Sequence, residues 1–325
     1  MDKKTIRFCA VMILFAIGLR LHAGGFFHQC LDVLTGPKVR AFLLYAGTGM
    51  VYVPPEQTTV PPETVPEVTQ PLPSFSPDDA TLLHITNYPD YTLDVPAMLT
   101  APLSWDLTTE APSVLIVHTH ATEAFAPYAG DFCDLREDWR SQDNGENVVL
   151  LGEIMAQELE KAGIGVIHDE TQHDYPSYNG SYERSAETIR GYLKEYPGIR
   201  VVIDLHRDAI ENPAGNLIRP VAQVDGKKAA QVMIIAGCDD GTMDLPGWRE
   251  NLRWAAALQS RIETDFPGLT RPVFFCHRKY NMDLTGGSLL IEFGSHGNTL
   301  AQAALSARCV GQSMAAALQE LSKEG

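Results

Sequence analysis

Three short apolar runs in this chain end in residues that carry chemistry. Val114-Leu-Ile-Val117 leads into His118, His120 and Glu123. Val201-Val-Ile203 leads into Asp204, His206, Arg207 and Asp208, and Leu289-Leu-Ile291 closes on Glu292. Aliphatic, partly β-branched runs of this length read as buried strands. Residues i and i+2 of an extended segment point the same way, so His118 and His120 are expected on one side of a strand end. Open α/β sheets bind ligands beyond the carboxyl ends of their strands. A fold that brings these strands together delivers His, His and Glu to one sheet edge, the layout of a metal-assisted hydrolase.

The intervening sequence supplies the rest of such a sheet. Helical periodicity runs over 147–163, 185–196, 248–266 and 299–323, with further strands expected at 164–168, 200–205, 232–237, 273–275 and 288–293. Strands alternating with helices imply an α/β fold, a mostly parallel twisted sheet covered by helices on both faces. This catalytic domain is expected over 81–325.

The N-terminal quarter reads differently. Lys3 and Lys4 precede an apolar run from Phe8 to Leu19, which Arg20 interrupts. With Ile6 included and Arg20 snorkelling, the run approaches membrane-spanning length. A signal anchor over 1–25 is favoured over a cleaved signal peptide, because Ala23-Gly-Gly lacks an A-x-A pattern. The basic start places that end inside and the remainder outside. A juxtamembrane segment over 26–53 and a Pro/Thr/Glu-rich linker over 54–80 follow. The linker's composition keeps it extended and solvated, as a stalk.

Several function classes are excluded or disfavoured. A formal net charge of -16 argues against a nucleic-acid partner. Six cysteines include no C-x-x-C pair, which removes the usual cysteine zinc motifs. No G-x-S-x-G, P-loop or G-x-G-x-x-G occurs, which disfavours a serine hydrolase and a nucleotide enzyme.

Catalytic zinc takes three protein ligands from His, Glu and Asp, plus water, while a separate carboxylate moves the proton. His118, His120 and His206 are the histidine candidates for Zn2+, with His118 favoured in the first pair. Asp143 is a candidate third ligand and Glu146 its neighbour. The competing role for Asp143 is a helix N-cap. Glu292 is the candidate proton shuttle, and an ion pair with Arg278 or Lys279 is its alternative. Glu123, Arg207 and Asn281 stand as substrate-binding candidates. His168, His173 and Asp174 are expected to position the site.

The same segments resemble the stage II sporulation protein P family. The pieces are Val114-Leu-Ile-Val-His-Thr-His-Ala-Thr-Glu-Ala-Phe125, Asn147-Val-Val, His173-Asp174, Tyr178-Asn179, Ser181-Tyr-Glu-Arg-Ser185, Ile203-Asp-Leu-His-Arg-Asp-Ala209, Tyr280-Asn281 and Leu289-Leu-Ile-Glu-Phe-Gly294. The resemblance implies a membrane-anchored zinc N-acetylmuramoyl-L-alanine amidase acting on peptidoglycan, with endopeptidase action as well. It implies work during engulfment in sporulation, between forespore and mother cell, with stage II sporulation proteins D and M as partners. The wider amidase clan orders its site His, Glu, His and then a catalytic Glu. Here that order corresponds to His118 or His120, Asp143, His206 and Glu292, with Asp143 replacing a Glu. Met282 stands where Gln is expected in a Tyr-Asn-Gln sequence. A non-catalytic cell-wall scaffold of the same fold is the alternative function.

Overall fold

The computed structural model describes residues 83–323, apart from 101–102, 104, 106, 108–110, 127–138 and 212–216. The anchor, juxtamembrane and linker segments expected over 1–80 lie outside the described residues. Among the described residues, no helix is long and apolar enough to cross a membrane.

The described chain runs β1 (Ile85–Asn87), α1 (Val95–Thr100), β2 (Val114–Val117), α2 (Val148–Lys161), β3 (Val166–His168), α3 (Ser181–Glu195) and β4 (Val201–Asp208). It continues with β5 (Val221–Val224), β6 (Lys227–Ala230), β7 (Val232–Gly237), α4 (Trp248–Asp265), β8 (Val273–Cys276), β9 (Gly287–Ser295) and α5 (Leu300–Lys323). Seven strands form one sheet in the order β1-β8-β7-β9-β4-β2-β3. The fold is α/β and the sheet mostly parallel, as expected.

The exception is the junction of β7 with β9, which is antiparallel. It divides the sheet into β3-β2-β4-β9 and β7-β8-β1, each internally parallel. A parallel neighbour needs a crossover, usually a helix. Between β4 and β7 the described residues hold only the β5–β6 hairpin, and β7 runs in the opposite direction. That hairpin turns at Asp225 (φ 49°) and Gly226 (φ 73°). Two positive φ values in a two-residue loop match the right-handed twist of the flanking strands.

Helices cover both faces. Along β2, Val114 and Ile116 join the large core, whereas Leu115 and Val117 join a smaller cluster containing Ile189 of α3. Along β4, Val201, Ile203 and Leu205 face the large core and Val202 faces the α3 cluster. This alternation is the period of two that a strand imposes. It decides which side of the sheet each functional residue occupies.

Candidate active site

Parity along β4 puts Asp204 and His206 on the same face as Val202, beneath α3. Glu292 of β9 is the in-register partner of His206, and paired residues of adjacent strands point to the same side. His206 and Glu292 are therefore neighbours by sheet register. His120 reaches the same side by another route. The strand ends at Val117 and the chain turns, with the Glu123 amide donating to the His120 carbonyl. The turn carries His120 to the start of α3, where its Nδ1 lies 3.3 Å from Ser181 Oγ and its ring lies edge-on to Tyr182. The His120 and His206 rings stand perpendicular, their centroids 5.3 Å apart.

His206 sits between two carboxylates. Its Nδ1 is 3.4 Å from Glu123 Oε2 and its Nε2 is 3.0 Å from Asp204 Oδ1. The latter approach is close, yet Nε2 makes no aligned hydrogen bond. Burial works to lower the His206 pKa, but the two acids outweigh it and hold it well above its ordinary value. Burial works to raise the Glu123 carboxyl, while His206 and Arg207 bring it down to about 2. Asp204 is anchored by the Thr119 amide at 2.8 Å and the Thr119 hydroxyl at 2.6 Å. Glu292 behaves oppositely. Burial, with Glu123 and Asp208 adding to it, raises its carboxyl to about 8, and its buried Oε2 has no hydrogen-bond partner.

His118 belongs to the other face. It shares parity with Ile116, whose register partner on β3 is His168. The two imidazoles meet there, Nε2 to Nε2, at 2.9 Å. Burial, reinforced by His168, drives the His118 pKa down to about 3. The expectation that His118 and His120 share one side thus fails, because extended parity stops where the strand gives way to a turn. Gly152 of α2 makes room for the pair. A Cβ there would lie 2.6 Å from His118 Nε2 and closer still to His168 Nε2. Gly152→Ala should overpack this contact and lower stability by about 1–3 kcal/mol, read as a fall in the thermal midpoint. An unchanged midpoint would show that the rings move aside freely.

A protein-family model, Stage II sporulation protein P, matches residues 58–315. The chain belongs to the stage II sporulation protein P family. A relative of that name from Bacillus subtilis (strain 168) is 29% identical over 198 residues, covering 58% of this chain and 46% of the relative. The match thus spans less than half the length of that family member. Similar solved structures include the CwlD amidase from Clostridioides difficile in complex with the GerS lipoprotein, at 10% identity and a TM-score of 0.41. That similarity covers 66% of this chain and 100% of the other. N-acetylmuramoyl-L-alanine amidase AmiC2 of Nostoc punctiforme is similar at 15% identity and a TM-score of 0.37, covering 66% and 96%.

The family motif residues fall into two groups. His120, Glu123, His206 and Glu292 are brought to the α3 face, and His118 is not. Asp143 is exposed in a turn before α2, where its Oδ1 accepts from the Gly145 amide at 2.8 Å. No hydrogen bond or ion pair joins it to His118, His120, His206 or Glu292. The helix cap it competed for belongs to Asn147, whose side chain accepts from the Val149 amide. Glu146 is likewise exposed, bonded to Ser141. The Arg207 guanidinium is spent on the carbonyls of Ala124 at 3.0 Å and Trp139 at 3.2 Å. Asn281 donates to the Tyr182 carbonyl and Ser185 Oγ, both at 2.9 Å. Met282 is buried, its Sδ 3.2 Å from the Gly237 amide.

Glu292 pairs with neither Arg278 nor Lys279. Lys279 is taken by Asp283 and Arg278 by the His277 carbonyl. His173 donates from Nδ1 to the His118 carbonyl at 3.0 Å, and Asp174 accepts from Thr122 and Arg140 at 2.6 and 2.7 Å. Both hold the turn that carries His120 and Glu123. Reading the sequence missed Asp204 and Thr119 as the support of His206, and Tyr178, which stacks on His120 at 4.4 Å. The alternation in Asp204-Leu-His206 was the available signal for the first.

Proposed function

We propose that this chain is a zinc-dependent peptidoglycan hydrolase that cleaves the amide between N-acetylmuramic acid and L-alanine. His120, Glu123 and His206 would hold the metal and Glu292 would move the proton. The observation that carries this reading is a gathering of imidazoles and carboxylates at one sheet edge, with one carboxyl oxygen buried and unpartnered. Glu123 and Asp204 flank His206, His120 stands edge-on to it, and Glu292 is its register partner with Oε2 buried and unpartnered. Buried polar atoms are rarely left so, and buried charges are normally paired or bound to metal. Imidazole and carboxylate donors suit zinc, and a carboxylate behind a ligating histidine is its usual support. A non-catalytic scaffold gives no reason to keep Glu292 Oε2 without a partner.

Zinc bound here would lower the pKa of a water molecule towards neutrality and polarise the scissile carbonyl. The chain's own residues do the remainder. Asp204, fixed by Thr119, orients the His206 ring. Glu292, the in-register neighbour of His206, is the carboxylate placed to take a proton from the attacking water and return it to the leaving amine. Tyr178, about half exposed, stacks on His120 beneath the Arg140 guanidinium, 4.9 Å from the ring centroid. Its ring is held between His120 and Arg140, so its exposed edge borders the centre.

Family membership adds the biological proposals. They are a role in engulfment during sporulation, endopeptidase action, partnership with stage II sporulation proteins D and M, and single-pass anchoring with the catalytic domain outside. The test is His206→Ala in the full-length protein. It should lose one equivalent of zinc and cease to release peptide stems from purified peptidoglycan, with products identified by mass spectrometry. A variant that retains both the zinc count and the release of stems removes His206 from the proposal.

A further inference from the structure

One gathering of metal-type donors among the described residues lies away from the His206 centre. Glu153 of α2, His168 at the end of β3 and Glu170 just beyond it bring one ligand atom each within 4.8 Å of one another. Two exposed carboxylates alone would mean nothing. His168 makes the difference. Its side chain is 7% exposed, and its buried Nδ1 has no hydrogen-bond partner, standing 3.7 Å from Glu153 Oε2. Its other nitrogen is engaged by His118 Nε2 at 2.9 Å. Glu170 is held loosely by Asn144, at 3.4 Å.

A ring anchored through one nitrogen, with the other left open towards two carboxylates, has the form of a metal-ligating histidine. Such a residue normally passes its second N–H to an acceptor behind it. With His118 Nε2 as that acceptor, the His168 Nδ1 lone pair faces Glu153 and Glu170. We infer that Glu153, His168 and Glu170 form a second divalent-metal site, separate from the His206 centre. One imidazole and two carboxylates favour a cation of the zinc, cobalt or nickel class over magnesium or calcium, which prefer all-oxygen shells. Water would complete the coordination on the exposed side. Occupancy fixes the ring that His118 packs against, and so braces the strand end from which the His120 turn departs. It requires nothing of the proposed hydrolysis.

The test counts zinc bound by the full-length protein after stripping with a chelator and retitration, by calorimetry and elemental analysis. Wild type should bind two equivalents and the double variant Glu153→Gln/Glu170→Gln one. Both carboxylates are exposed, so this variant should fold, which its melting curve verifies. His206→Ala should also bind one equivalent, the outer one. A wild-type protein that binds one equivalent, lost in the double variant but kept in His206→Ala, upholds this site and overturns the zinc reading of the centre. One equivalent kept in the double variant and lost in His206→Ala does the reverse. A double variant that binds as much zinc as wild type overturns the outer site, and so does a wild type that binds none.

Discussion

Glu292→Gln should leave fold and zinc content intact and cut peptidoglycan hydrolysis by about 10²–10⁴-fold, the usual worth of a general acid–base group. Gln matches the shape of Glu and still forms hydrogen bonds, but it cannot accept a proton from water. The metal-free protein should show a second effect of opposite sign. The Glu292 pKa rises on folding to about 8, from its ordinary value of 4.5. A carboxyl with a raised folded pKa leaves stability fully present below the unfolded value, and stability is lost as pH climbs through the folded one. Gln does not titrate. Metal-free Glu292→Gln should therefore overtake metal-free wild type as pH rises from about 4.5 to about 8, by on the order of several kcal/mol at most. Rate, zinc content and thermal midpoint measured on one preparation decide the matter. A variant that digests peptidoglycan at the wild-type rate takes Glu292 out of the mechanism.

Arg207→Ala should destabilise the protein by about 3–5 kcal/mol, the cost of removing one partner from a buried ionic arrangement. The Arg207 side chain bonds two carbonyls in the segment holding Glu123, and its charge helps keep Glu123 ionised. Its loss strips Ala124 and Trp139 of a donor and leaves a buried carboxylate with less compensation. Denaturant unfolding reads the change directly. The substrate-binding role first suggested by the sequence makes a different forecast, namely a raised KM in a protein of normal stability. That result would return Arg207 to the substrate.

Much of this molecule was legible before any coordinates. The runs at 114–117, 201–205 and 289–293 became strands because buried aliphatic residues leave little else for such segments to do. Glu292 was marked as unusual because a lone carboxylate in an apolar strand needs a purpose, and it is the acid whose pKa burial raises to about 8. Asp225-Gly226 is a hairpin signal in the sequence, and the hairpin it forms precedes the antiparallel junction. Asp143 illustrates the opposite case. Proximity in sequence to a helix and to the histidines made it plausible, but the turn before α2 leaves it in solvent while Glu123 lies against His206.

By itself the sequence determined which segments are strands and helices, that the chain is α/β, which side chains carry chemistry, and the family to which it belongs. These follow from local periodicity and residue type, which each segment holds without reference to the others. The tertiary structure alone decided that His120 faces His206 while His118 turns to His168, that Glu123 approaches the centre and Asp143 does not, and that the sheet reverses between β7 and β9. Face and register are set by pairing between strands far apart in the chain. Two histidines two residues apart can therefore fall on opposite sides of the sheet when their own strand gives way to a turn between them.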